Sequence, residues 1–143
     1  MSVFVDTNVL VYARDPGHPE KQERSLEWLA HLWASGDGRV STQVLNEYYA
    51  TVTRRLAPGL PQARARADVE ALFAWDPQPV DRAIVQRAFE IGEATRIPHW
   101  DALIVAAAHA AGCTHLLSED LSDGQRIDAV TVISPFTHTP DMV

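Results

Sequence analysis

The chain has 143 residues, 46% of them hydrophobic and 22% charged, enough for one domain with a sizeable core. Its net charge of −7 has the wrong sign for gripping nucleic acid through bulk charge, although an acidic pocket loaded with divalent cations turns locally attractive to phosphate. The one cysteine, Cys113, excludes an intramolecular disulfide, no apolar run is long enough to span a bilayer and no basic leader precedes the first apolar stretch, so the cytoplasm is expected and a membrane is not.

Val3-Phe4-Val5 is followed by Asp6-Thr7-Asn8 and then by Val9-Leu10-Val11-Tyr12-Ala13. That order reads as strand, turn and helix. In parallel α/β sheets, ligands bind beyond the carboxyl ends of the strands, which is where Asp6 falls. The same position suits a helix cap. After a loop at 14–18, a helix is expected over Pro19–Ser35, stopping at Gly36. Leu26, Leu29, Leu32 and Trp33 lie at helical spacing on it, with Trp28 at the margin and charged residues opposite. A short strand near Arg39-Val40-Ser41 leads into a helix over Thr42–Leu56. Ala57-Pro58-Gly59-Leu60-Pro61 is a break, and a helix over Gln62–Trp75 follows it. Asp81 is placed to cap a helix that ends before Pro98.

The segment His99–Ala108 is apolar on every side, so a central buried helix is expected, capped by Gly112. His115–Ser118 and Val130–Ser134 read as the last strands. Strands alternating with helices imply a parallel α/β sheet, with no linker and a single domain over 1–143.

Four acids keep apolar company. Asp6 and Asp120 end strands, Glu47 lies beside Val44, Tyr48 and Val52, and Asp101 sits in the first turn of the all-apolar helix. Lone buried carboxylates are costly unless paired or metal-bound. Lys21 is the only lysine, so four lysine partners do not exist. Arginine partners in a structural ion-pair network are one account of the set. Convergence on a divalent cation is the other, and hard oxygen ligands suit Mg²⁺ or Mn²⁺. Phosphoaspartate chemistry also begins with an Asp after the first strand, but it needs a lysine late in the chain, and nothing after Lys21 is lysine. No Gly-x-x-x-x-Gly-Lys is present, so there is no P-loop.

Val-Asp-Thr-Asn-Val-Leu at 5–10, Asn-Glu-Tyr-Tyr at 46–49, His-Trp-Asp-Ala-Leu-Ile-Val-Ala-Ala-Ala at 99–108 and Leu-Leu-Ser-Glu-Asp-Leu at 116–121 resemble the PIN-domain ribonucleases. The chain is most similar to the VapC-type toxins of bacterial toxin–antitoxin pairs, and the similarity extends to Ser134-Pro135-Phe136. The resemblance implies a PIN-like α/β fold, a parallel sheet of about four or five strands flanked by helices. It implies an Mg²⁺- or Mn²⁺-dependent endoribonuclease, held by a cognate antitoxin and dimeric. A PIN fold that binds RNA or protein without cutting is the alternative, and it normally goes with a damaged acidic set. Carried over by position, Asp6, Glu47, Asp101 and Asp120 match the catalytic and metal-binding quartet, and Asn8 and Ser118 match the supporting polar positions. Asp6 and Asp101 are the expected direct ligands, with Glu47 and Asp120 binding directly or through water. The family's Ser-x-Asp pattern favours Asp120 over its neighbour Glu119, and Asp123 is a further candidate.

Weaker signals concern partners. Arg54, Arg55, Arg64 and Arg66 lie on two successive helices and are candidates for one basic patch that positions RNA phosphates. One of Tyr48 and Tyr49 is a candidate for stacking on a base. His99, beside a tryptophan, reads as structural. Trp28, Leu29, Leu32 and Trp33 give one outer helix more aromatic surface than it needs, which marks an interface; the resemblance implies that antitoxins are held near this region, so Trp28 or Trp33 is expected to contact one, and burial of both in the core is the other reading.

Overall fold

The computed structural model describes residues 1–143. Its strands are β1 (Val3–Val5), β2 (Gly38–Arg39), β3 (His115–Leu117), β4 (Arg126–Ile127) and β5 (Val130–Ile133). Its helices are α1 (Thr7–Tyr12), α2 (Pro19–Ser35), α3 (Thr42–Arg54), α4 (Gln62–Leu72), α5 (Arg82–Thr95) and α6 (His99–Ala110). The five strands form one sheet in the order β2-β1-β3-β5-β4, parallel except for β4. This bears out the expected α/β sheet. Val3, Phe4, Val5, Leu116, Leu117 and Val132 are all buried. Such strands carry apolar residues continuously rather than alternately because helices cover both faces.

Strand register decides which residues meet at the carboxyl end of the sheet. Val5 pairs with Leu117, and Leu117 pairs with Ile133. The residues just past the ends of β1 and β3, Asp6 and Ser118, therefore emerge side by side. α6 runs through the interior with Ala102–Ala108 buried without interruption, and it packs along α5. Gly112 takes φ +76° one residue beyond the cap of α6, a conformation that glycine adopts without strain. Asp81 caps α5 by accepting from the Ile84 N–H at 3.0 Å.

Several boundaries move. The strand expected at 39–41 is instead Gly38–Arg39. A Cβ at Gly38 would stand 2.6 Å from the Trp75 ring, so the backbone passes that indole only where there is no side chain. Val40 and Ser41 then leave the sheet, and the Val40 carbonyl accepts from the Gln78 N–H at 2.9 Å. α3 stops at Arg54, and the helix from Gln62 tightens at Phe73–Trp75 into a 3₁₀ turn. The hairpin strand β4 was not legible, because its turn uses Asp128 and Ala129 at φ +51° and +67° where glycine would be the signal. Arg87 holds that turn through a two-pronged ion pair with Asp128.

α2 corrects the sequence reading most. Its buried stripe is Ser25, Trp28 and Leu32, while Leu26 and Trp33 face solvent. Trp28 is 1% exposed, and its indole N–H donates to the His138 carbonyl at 2.9 Å. The segment after β5 folds back over it. Trp28 is thus a core residue and not the surface anchor expected of it. Trp33 is 44% exposed and rests against Trp75, with ring centroids 5.0 Å apart. No helix is long and apolar enough to cross a membrane.

Candidate active site

Asp6 ends β1 and begins α1, and it meets both expectations of its position. Its Oδ1 accepts the Thr7 N–H at 2.7 Å, capping α1. Its Oδ2 faces the next strand end and accepts from Ser118 Oγ at 2.7 Å and Asn8 Nδ2 at 3.4 Å. Ser118 Oγ in turn accepts the Asp120 N–H at 3.1 Å, and Asn8 Oδ1 accepts the Glu119 N–H at 3.3 Å. Asn8 and Ser118 therefore tie the ends of β1 and β3 together and set the direction of the Asp6 carboxylate. α3 packs on α1 and brings Glu47 to the same place. Thr7 Oγ1 donates to Glu47 Oε1 at 2.8 Å, and Gln43, one helical turn earlier, reaches Glu47 Oε2 at 3.4 Å. Asp101 enters from the first turn of α6.

Asp6, Glu47, Asp101 and Asp120 line one cleft of about 450 Å³. Only Asp6 is fully buried; Glu47 and Asp101 are half-buried and Asp120 is exposed, which corrects the picture of four buried acids. Burial pushes the Asp6 carboxyl up to about 7, against the pull of the Ser118 and Thr7 hydrogen bonds, and the charges of Asp120 and Asp101 push it further. Burial also raises Asp101, with Asp120 and Glu47 adding to it and no hydrogen bond opposing it. The four carboxylates thus share one unneutralised field. None of them belongs to any of the ion pairs in the molecule. The arginine network considered from the sequence is absent.

No three of these side chains, as they stand, close around an ion by themselves. Mg²⁺ keeps several waters and takes one or two carboxylates. An all-oxygen donor set with excess negative charge fits such a hydrated hard cation.

The other candidates separate from the cleft. Asp123 accepts the Ser134 N–H at 2.9 Å and lies near His138, so it braces the chain after β5 and is not a further site residue. His99 stacks on Phe89, centroids 5.3 Å apart. Tyr48 is buried and donates to Asp68 at 2.5 Å, and Tyr49 faces a groove between α3 and α4, so neither reaches the cleft. Arg54, Arg55, Arg64 and Arg66 are exposed but do not form one patch. Two residues apart on a helix point to nearly opposite sides. Arg64 lies near Arg14 and Pro16, whereas Arg66 faces Tyr49 and Phe73 and pairs with Glu70.

The cleft holds residues that sequence reasoning passed over. Thr7 and Gln43 were findable, since one lies between Asp6 and Asn8 and the other one turn before Glu47. Tyr12, Glu119 and the exposed indole of Trp100 also line it.

The PIN domain family model matches residues 3–127. The chain belongs to the PIN-domain family. Among solved structures, this PIN domain is similar to VapBC2 of Rickettsia felis, bound to a DNA fragment from its promoter, with a TM-score of 0.65 and 18% identity over 94% of this chain and 98% of that one. It is also similar to VapC20 of Mycobacterium tuberculosis, a toxin that cleaves the sarcin-ricin loop, with a TM-score of 0.58 and 22% identity over 83% of this chain and 92% of that one. At these identities the likeness is one of fold. No curated protein matches the chain in sequence.

Proposed function

We propose that this PIN domain is an Mg²⁺- or Mn²⁺-dependent endoribonuclease and the toxin of a toxin–antitoxin pair. The observation that carries the reading is a cleft in which four carboxylates from β1, α3, α6 and the end of β3 face one another with no basic partner. Asp6 and Asp101 would hold the ion, with Glu47 and Asp120 binding directly or through water. Bound there, the ion supplies the positive charge that activates a water and stabilises the leaving oxygen of a phosphodiester. The chain does the positioning. Ser118 and Asn8 fix the Asp6 carboxylate, Thr7 and Gln43 fix Glu47, and no side chain has to serve as nucleophile. The reading includes a cytoplasmic homodimer. RNA cleavage with Mg²⁺ or Mn²⁺, abolished by EDTA and restored by adding the metal back, is the expected result. RNA bound but left intact under every metal condition would point instead to a binding module.

The antitoxin is expected on a second, apolar groove of about 420 Å³ between α2 and α4, where Leu26, Leu29, Trp33 and Leu72 surround the Arg14–Asp68 ion pair. Trp33→Ala should weaken binding of the cognate antitoxin about tenfold or more, since exposed aromatic anchors carry most interface energy. The free protein should stay folded and lose about 1–2 kcal/mol of stability, because the side chain is nearly half exposed but rests on Trp75. Calorimetric titration beside a denaturant melt checks both. Unchanged affinity would remove Trp33 from the interface.

A further inference from the structure

We propose that Lys21 grips the RNA backbone at one end of the cleft, as a substrate-positioning residue. This rests on the nuclease reading. The cleft is lined by six carboxylates, the quartet with Asp15 and Glu119, and its only basic lining residue, His18, is bonded to Asp15 at 2.7 Å. A polyanionic substrate needs a cation there besides the metal. Lys21, the only lysine of the chain, delivers one. It projects from the first turn of α2, and its ammonium contacts two residues of the cleft wall. It bonds the Glu119 carboxylate and donates to the Tyr12 hydroxyl at 3.4 Å.

The ammonium is held in place before any substrate arrives. It lies 4.9 Å from the centroid of the Tyr12 ring and 5.1 Å from that of Phe136, and the two rings meet edge to face at 5.4 Å. Such a cradle is electrostatically favourable to a cation. Two of its three N–H donors have partners, so one is left for a phosphate oxygen. The pair is open to solvent, with side-chain exposures of 37% for Lys21 and 31% for Glu119. An ion pair that exposed adds little to stability. Its placement beside Asp120 is the feature in need of a function. Phosphate contacts fix register without reading sequence, and this one would set the distance from a backbone phosphate to the scissile one.

The test uses three variants in the full chain, on an RNA oligonucleotide that the parent cleaves. Lys21→Met keeps the apolar stem and removes the charge. It should raise KM about five- to tenfold with kcat within about twofold. In a cleavage-dead Asp101→Asn background with Mg²⁺ present, it should flatten the slope of log affinity against log salt by about 0.7, one phosphate contact on a single strand. Lys21→Arg should retain most of both. Glu119→Gln frees the ammonium and should bind RNA at least as tightly as the parent. A purely structural pair makes the opposite demand: Lys21→Met and Glu119→Gln would weaken the protein together, and the salt slope would not move. That result overturns the inference. Glu119→Gln breaks the same pair without removing the cation, so weaker RNA binding by it overturns the inference even if Lys21→Met fails to fold. A parent that cuts no RNA overturns the nuclease reading and this one with it. A parent that cuts RNA, with the Lys21→Met slope and KM unchanged, overturns this inference alone.

Discussion

Asp6→Asn and Asp101→Asn should each lower RNA cleavage by about 10³-fold or more, and yet leave the metal-free protein as stable as the parent or more so. The loss follows from removing a ligand whose ion supplies several kcal/mol of charge stabilisation, at 1.36 kcal/mol per factor of ten, on the order of 10³-fold. The retained stability follows from the field in the cleft. Folding raises the Asp6 carboxyl from 3.8 to about 7, so its charge opposes the fold. Below pH 3.8 the group is protonated in both folded and unfolded chains and exerts no cost. As the pH climbs from there to about 7, the folded protein keeps a proton that the unfolded chain has released, and metal-free stability falls. Above that it stays at its lowest, down by a few kcal/mol at about 1.4 kcal/mol for each unit of the shift. Asp6→Asn should flatten this decline. Mg²⁺ or Mn²⁺ should raise the melting temperature of the parent by mass action on the folded state and do far less for either variant. Thermal melts of the three proteins against pH, with and without metal, test the set. Metal-free variants that lose about 3–5 kcal/mol, the cost of stranding a buried partner, beside a parent indifferent to metal, would sink the assignment of the quartet.

The second large effect lies far from the cleft. Trp28→Ala should cost about 3–5 kcal/mol, the range for deleting a fully buried large aromatic. The indole is almost wholly enclosed, and its N–H holds the His138 carbonyl, so the cavity would also loosen the segment after β5. The denaturant midpoint measures it. A change under about 1 kcal/mol would mean that this segment does not cover the indole and that Trp28 belongs to the surface after all.

Trp28 and Trp33 show where sequence reading stopped. Both lie on an amphipathic helix, five residues apart, and periodicity treats large apolar residues alike. Which one the protein encloses depends on residues 134–138 folding back, more than a hundred positions away. Asp123 turned to the chain after β5, and Arg64 and Arg66 turned to opposite sides of one helix, for the same reason. Local composition shows that a carboxylate or a guanidinium is present but not which way its element turns it.

The amino-acid sequence by itself determined the alternation of strand and helix, the all-apolar α6, the caps at Asp81 and Gly36, and the four motifs by which the chain resembles the PIN family. These are local properties, set by side chains within a few residues of one another. Only the tertiary structure decided that Asp6 and Ser118 stand side by side, because strand register pairs Val5 with Leu117. Only it showed that no basic side chain neutralises the quartet and that Lys21 meets Glu119 across 98 positions of chain. Those facts depend on which distant segments the hydrophobic core draws together, and a carboxylate's chemistry follows from the charges that surround it in space, not from its neighbours in the chain.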